Sequence, residues 1–515
     1  MTDQRTVESS ARPVRGSSAV SILIGVAAAA VVIVAVLFLE PVIVGGVLLV
    51  VCGLFVFRRE VFTRTTMLFV LIAVILFIPI RRYALPIPIG FALEPYRVLI
   101  AGLLVWLALT VILRGRANWK PVVWGWPIAI FLWTAFFSLM ANSVALTQSG
   151  FITGGFSNVF QLAFLLSTVI LVRQLLSTEK VTMVLLNVIV FSGAIIGVLA
   201  FFERVTRRNV FLMLGNFLPL QILRDDAESL RAGGNRAYAS SQHPIALAVL
   251  FCMIIPIAIY LIKFSVWPAY QFTRTLVYVA AIGAMMVGML AAVSRTGVVT
   301  LGVMFLFVLL LRPKLAGVLA AIGLPIAVLL GLIFPQLVQT MVLSLFDIDG
   351  VIASQTTSVG LAGQGRLADL PEAFAQFAAA PFAGSGIASR IVVGEGANSQ
   401  ILDNQWLGSL IDTGVVGMVG MFALFVWPIV KLVRFAMRPG VPPQRGFLAF
   451  AIATSTVAYT VSMFFHDSFA FMQTLIVLAI LYAIAAWAMT EKTADGWTPD
   501  APVFAERRVA ARSAS

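Results

Sequence analysis

Apolar positions in this chain come in long runs of about 15–20 residues separated by short polar stretches, and a run of that length can cross a bilayer's hydrocarbon core. The pattern predicts an all-α, polytopic integral membrane protein of about 14 transmembrane helices (12–14). They fall near residues 19–39, 41–57, 66–80, 97–113, 121–141, 156–172, 181–202, 244–262, 275–293, 297–311, 315–333, 413–430, 446–465 and 468–489. The runs at 66–80 and 297–311 are short enough that one pair could be re-entrant. Two polar interruptions are long enough to build something, at 203–243 and at about 335–412. The predicted organisation is therefore a disordered tail at 1–18 and a membrane domain at 19–333 that contains helices 1–11 and the outer loop 203–243. A large extracytoplasmic loop at 334–412 with a short amphipathic helix follows, then the last three helices at 413–489 and a disordered tail at 490–515. No internal repeat is visible, so the inverted-repeat signature of many secondary transporters is missing.

Composition agrees: 61% of residues are hydrophobic and 11% charged, against about 25% charged in ordinary soluble domains. With the N-terminus inside, the 35 basic residues divide 23 inside to 12 outside, and the 22 acidic ones 8 to 14. That asymmetry follows the positive-inside rule and puts both termini in the cytoplasm. The net charge of +13 thus reports orientation, and no basic stripe interleaved with aromatics suggests nucleic acid as a partner. The first apolar run lacks a small-residue cleavage site, so it reads as a span and not as a signal peptide. Cys52 and Cys252 both lie inside apolar runs and read as small core residues.

Against this background a few polar residues stand out. The runs 275–293 and 298–311 meet at Ser294-Arg295-Thr296-Gly297 with almost no loop, which holds an arginine at the membrane boundary. A guanidinium near mid-bilayer costs roughly 2.5–3.5 kcal/mol on insertion scales, so such residues usually face a cavity or a ligand. Its small neighbours suit close helix packing, although an arginine here can also snorkel to lipid phosphates. The first outer loop ends in Arg231-Ala-Gly-Gly-Asn-Arg236 and then His243-Pro244. The two arginines beside a glycine turn could grip an anion with paired donors, or could pair with Asp225, Asp226 and Glu228 or with lipid headgroups. His243 reads as a helix-start residue.

In the second outer loop, Arg366 precedes Asp369-Leu-Pro-Glu372, which has the spacing of a capping box with Pro371 in the first turn. Leu370, Phe374 and Phe377 share one face of the helix this predicts. Arg366 before the positive end of that helix is disfavoured unless an anion binds there too. Farther on comes Asp403-Asn404-Gln405-Trp406 just ahead of a span. Asp403 could take a proton from an attacking hydroxyl, with Asn404, Gln405 and Trp406 orienting it or contacting sugar, or it could simply cap the helix. Asp347-Ile-Asp349-Gly350 reads as a turn. His466-Asp467 joins the last two spans, as a second acid/base pair or a tight polar turn.

In this order the motifs resemble the O-antigen ligase and polymerase superfamily: the paired arginines before His243-Pro244, the Ser-Arg-Thr-Gly corner, Arg366 leading into Pro381-Phe-Ala-Gly-Ser-Gly386, and Asp403-Asn404-Gln405. The matching elements cover about residues 230–420. The resemblance implies an inverting glycosyltransferase of the bacterial inner membrane that needs no metal and no cofactor. Its donor would be a glycan carried on a polyprenyl diphosphate such as undecaprenyl diphosphate, and its acceptor a second glycan or a lipid. Arg231, Arg236, Arg295 and Arg366 would hold the diphosphate, Arg295 would stabilise the leaving group, and Asp403 or His466 would be the base. Ligases of the family typically have His-Asn where this chain has Asp403-Asn404, a departure that favours polymerase-like members. The leading expectation is therefore a polymerase of O-antigen or exopolysaccharide type. The alternative is ligase-like transfer of a finished glycan to a lipid, wall polymer or protein, and a polysaccharide transporter or flippase ranks below both.

Overall fold

The computed structural model describes residues 63–87, 92–114, 119–223, 230–231, 234–347, 349, 370–389 and 403–492. The chain divides into two units, one formed by residues 1–67 and 87–91 and the other by residues 68–86 and 92–515. Of the first, only residues 63–67 and 87 are described, and the runs predicted at 19–39 and 41–57 lie outside the described residues. The second unit carries the helix bundle.

Each of the other twelve predicted runs overlaps a helix. In chain order these are α1 (Arg64–Phe77), α2 (Pro95–Arg114), α3 (Gly125–Ala141), then, after a short α4 (Ser143–Gln148), α5 (Ile152–Leu175) and α6 (Glu179–Thr206). They continue as α7 (Pro244–Phe264), α8 (Gln271–Ala292), α9 (Arg295–Leu311) and α10 (Pro313–Ile333). After short helices α11 (Pro335–Met341) and α12 (Leu370–Ala379) come α13 (Gln405–Met421), α14 (Trp427–Ala436), α15 (Pro443–Ser462) and α16 (Met472–Thr490). A π-helical turn, Phe422–Val426, joins α13 to α14. Among the described residues, eight helices are long and apolar enough to cross a membrane by length and composition. The protein is thus an all-α, polytopic membrane protein.

Helices α7, α15 and α16 form the centre: nearly every side chain of α16 is buried, whereas α10 presents Val318, Leu324, Val328 and Leu332 outward. An all-round apolar helix that is bare in the protein is one that lipid can cover. Helices α6 and α8 cross at two glycines. A Cβ on Gly288 would lie 2.6 Å from the Gly197 Cα, so the backbones touch directly, the close approach that small residues permit between membrane helices. At the opposite end from the α8–α9 corner, Arg173 (α5) and Arg445 (α15) grip the end of α16. Arg173 pairs with Glu491 at 2.8 Å and bonds Thr490 Oγ1, and the Arg445 guanidinium lies 3.6 Å from the Trp487 ring centroid.

Two elements differ from the sequence reading. The helix expected from residue 413 begins at Gln405, eight residues earlier, and breaks at Gly414 (φ 63°, ψ −166°). The early turns contain Gln405, Ser409 and Asp412, which dilute the apolar run. Gln405 Nε2 donates to Ser409 Oγ at 3.1 Å, so two of these polar groups are satisfied inside the helix. The cap is Asn404, whose Oδ1 accepts from Leu407 N at 3.1 Å, and not Asp403. The last helix begins at Met472, because the apolar Phe469-Ala-Phe471 belongs to a loop that folds back over α13.

Candidate functional site

The 203–243 segment, the α8–α9 corner, the start of α13 and the α15–α16 loop gather at one end of the bundle. The α8–α9 corner turns in two residues: Val293 adopts a left-handed conformation (φ 46°) to end α8, and Ser294 leads directly into α9. Arg295 is therefore the first residue of α9, half-buried, with its Nε donating to Thr340 O of α11 at 3.3 Å. Gly297 explains how the corner sits so deep, since a Cβ there would meet Ala248 and Met289 at 3.0 Å.

Arg236 lies against the same corner. Its Nε donates to Ala292 O at 3.3 Å, and the next residue, Ala237, bonds Ala291 O through its backbone N–H. Two of the four arginines singled out in the sequence thus sit at this corner, Arg236 on the last carbonyl of α8 and Arg295 at the start of α9. Arg231 pairs through its backbone with Gly234 in a two-residue hairpin, and its side chain lies outside the described residues. Arg366 and Asp369 also lie outside the described residues, although the helix expected after them is present as α12.

The loop carrying Arg236 is fastened by residues that the motif reading did not single out. Glu203, 1% exposed at the end of α6, accepts from Tyr238 N (3.3 Å) and Ala239 N (2.8 Å), and Ala239 is left-handed (φ 48°). Arg82, 3% exposed, stacks on the Tyr238 ring at 4.3 Å, donates to Gln242 O at 3.3 Å and acts electrostatically on the Glu203 carboxylate. Asn209 Nδ2 reaches Ala239 O at 3.0 Å. Beside Arg82, Tyr83 and Ala84 pair antiparallel with Ile222 and Gln221, tying the α1–α2 connection to this loop. Burial raises the Tyr83 phenol above its ordinary value, so it remains a donor to Phe211 O (2.9 Å). A charged residue ending an apolar run is the only sequence signal that Arg82 and Glu203 offer; neither belongs to a spaced motif.

The loop ends at His243, whose Nδ1 caps α7 by accepting from Ile245 N at 3.2 Å. Its ring lies 5.5 Å from the Phe471 ring, and Phe471 lies 5.5 Å from the ring of His466. His466 is 2% exposed and engaged at both nitrogens. Nδ1 lies 2.8 Å from Ser462 O, and since a carbonyl only accepts, Nδ1 carries the proton while Nε2 accepts from Ser468 Oγ at 3.1 Å.

Asp403 is exposed at the head of α13. The three residues after it are tied into the fold: Asn404 caps, Gln405 Oε1 accepts from Phe469 N (3.0 Å), and Trp406 Nε1 donates to Thr460 O (3.0 Å) while stacking on Phe464. From earlier in the chain, the Pro381–Gly386 stretch inserts into the break of α13. Ser385 N and Gly386 N donate to Ile411 O and Asp412 O, and Val415 N and Val416 N donate to Pro381 O and Phe382 O. Ser138 of α3 closes the joint by donating to Ala383 O (2.7 Å). Gly384 of this motif lets one backbone enter another, since a Cβ there would lie 2.4 Å from Asp412 C. Among the described residues, no group of three His, Cys, Asp or Glu side chains converges to hold a metal ion.

The site therefore offers cations beside the α8–α9 corner and a carboxylate at the head of α13, both at the same end of a membrane bundle. That combination can bind an anionic leaving group and accept a proton. Residues 279–422, which include the corner, α9–α12 and α13, match the family model described as O-antigen ligase. No match was found among curated proteins.

Proposed function

With an O-antigen ligase domain at residues 279–422, this chain is a member of the O-antigen ligase and polymerase superfamily, and from that premise we propose that it is a glycosyltransferase that moves a glycan from a polyprenyl-diphosphate carrier to an acceptor hydroxyl. The ligase reading, transfer of a finished glycan to a lipid, wall polymer or protein, is favoured by the description of the matching domain. The observation that carries the chemistry is the meeting of Arg236 and Arg295 at one corner: Arg236 bonds Ala292 O, and Arg295 opens the helix three residues later.

In this reading the diphosphate lies against Arg236 and Arg295, with Arg231 and Arg366 as further cations. Asp403 takes the proton from the acceptor hydroxyl. The oxygen attacks the anomeric carbon from the face opposite the diphosphate, the bond from that carbon to the diphosphate oxygen breaks, and the configuration inverts. Negative charge grows on the departing diphosphate, and positioned guanidiniums that strengthen their hold as it grows lower the barrier. Asp403 is preferred to His466 because it is exposed, whereas both ring nitrogens of His466 are occupied within the fold. Asn404, Gln405 and Trp406 hold the Asp403 turn in place. In this reading both termini lie in the cytoplasm, an orientation that the charge asymmetry supports, and the site faces outward from the bacterial inner membrane.

One observation favours the polymerase as a second reading: an aspartate stands at 403 where ligases typically carry histidine. The test is reconstitution in liposomes with a fluorescent polyprenyl-diphosphate oligosaccharide, with and without a lipid acceptor. Product on the acceptor supports the ligase, and a ladder of lengthened carrier-linked glycan supports the polymerase. Neither product from any acceptor class, in protein that is folded and inserted, rejects the transferase reading.

A further inference from the structure

At the end of the bundle opposite the arginine corner, α3 and the segment joining α13 to α14 enclose an open groove of about 610 Å³, within the range of small-molecule pockets. We propose that this groove is a binding site for one anionic phospholipid, with an acyl chain along its apolar floor and the phosphate on Lys431. The inference is independent of the transferase reading.

The floor is built by Pro127 and Ile130 of α3 and by Phe422, Ala423 and Val426 of the π-helical turn. The π turn, an irregularity common at functional sites, supplies three of the groove's lining residues. It is held open by other helices: Tyr482 Oη donates to Leu424 O at 2.9 Å, and Thr460 Oγ1 to Phe425 O at 3.5 Å. These bonds give the carbonyls of an irregular turn the partners they need inside a membrane.

Its polar end is chemically specific. Lys431 is the only charged residue lining the groove, and its ammonium lies 5.4 Å from the Trp124 ring. Trp124 is itself fixed by an Nε1–H bond of 2.6 Å to Tyr482 O. Among the described residues no carboxylate pairs with Lys431. Trp126 and Trp427, 79% and 49% exposed, stand at the mouth, where amphipathic rings settle at headgroup depth. An apolar trough ending in an unmatched cation between interfacial tryptophans complements a chain joined to a phosphate. The far end of a polyprenyl tail would fill the trough but leave the ammonium unanswered.

The test uses the full-length protein and native mass spectrometry with phosphatidylglycerol and phosphatidylcholine of identical chains. Wild type is expected to retain phosphatidylglycerol preferentially, and Lys431→Gln to lower that retention about fivefold, as one lysine at a membrane surface contributes. Ile130→Trp, which fills the floor without changing charge, is expected to lower retention of both lipids. Equal retention of the two lipids by wild type, or undiminished phosphatidylglycerol retention by Lys431→Gln, overturns the proposal. Wild-type protein photolabelled with chain-tagged phosphatidylglycerol supplies a check that no variant's folding can disturb. Label on residues 126–130 and 422–430 supports the site, and label confined to other helices overturns it.

Discussion

Gly414→Ala tests how the Pro381–Gly386 motif is built into the bundle. Gly414 has φ 63° and ψ −166°, a conformation essentially reserved for glycine that costs other residues about 1–3 kcal/mol. An added Cβ would also sit 2.2 Å from Phe382 O and 2.7 Å from Gly384 N, both backbone atoms that cannot swing aside. Relief requires the inserted loop to withdraw, which endangers its four backbone hydrogen bonds to residues 411–416, each contributing about 1 kcal/mol. The expected loss is therefore about 3–5 kcal/mol. Gly102→Ala is the matched control: it lies mid-helix with nothing within 4 Å of the new Cβ, and should be neutral or stabilising by up to about 1 kcal/mol. Unfolding of both variants in the same detergent, followed by intrinsic fluorescence against denaturant, measures the difference. Because the inserted loop meets the first half of α13, transfer activity should fall along with stability. If Gly414→Ala unfolds within about 1 kcal/mol of Gly102→Ala, the joint between the loop and the broken helix does not hold this end of the bundle together.

Other variants separate chemistry from scaffold. Arg295→Ala should reduce transfer by about 10²–10³-fold, the scale of one lost transition-state donor, while stability falls by no more than the roughly 1 kcal/mol of its bond to Thr340 O; transfer within a few-fold of wild type would take Arg295 out of the site. Glu203→Gln replaces one acceptor oxygen with an NH2 group that cannot accept, so one of the two bonds from Tyr238 N and Ala239 N is lost; this should destabilise the loop by about 1–3 kcal/mol and raise hydrogen exchange at 237–239. Unaltered exchange there would show that the carboxylate does not hold Arg236 in place. His466→Ala should lower stability by about 1–3 kcal/mol while Asp403→Asn abolishes transfer and leaves stability alone, and the reverse pattern would exchange their roles.

Long apolar runs made the helices legible because lipid-spanning segments need little beyond length and apolarity. The same signal erred where polarity and conformation part company. The start of α13 carries Gln405 and Ser409, which satisfy each other inside the helix, whereas Phe469-Ala-Phe471 is apolar yet forms a loop. At the site, the corner at Arg295 was readable from two spans meeting without a linker. Arg82 and Glu203 were not, because they come together around Tyr238 and its loop, more than 100 residues from Arg82, and a contact between distant span ends leaves no spacing to read. The roles of Asn404, Gln405 and Trp406 were equally hidden, since a polar cluster ahead of a helix looks the same whether it faces a sugar or fastens the turn.

The grip of Arg173 and Arg445 on the end of α16 sets a practical boundary for engineering this protein. Arg173 is wholly enclosed, and Glu491 supplies its countercharge. A truncation or tag that leaves the chain in place through Glu491 keeps that pair. A cut after Ala488 strands the desolvated Arg173 guanidinium within electrostatic reach of Arg445, and buried charges that lose their partner typically cost about 3–5 kcal/mol. Two residues, Thr490 and Glu491, thus mark the limit that a C-terminal truncation or fusion must respect to keep the buried guanidinium partnered.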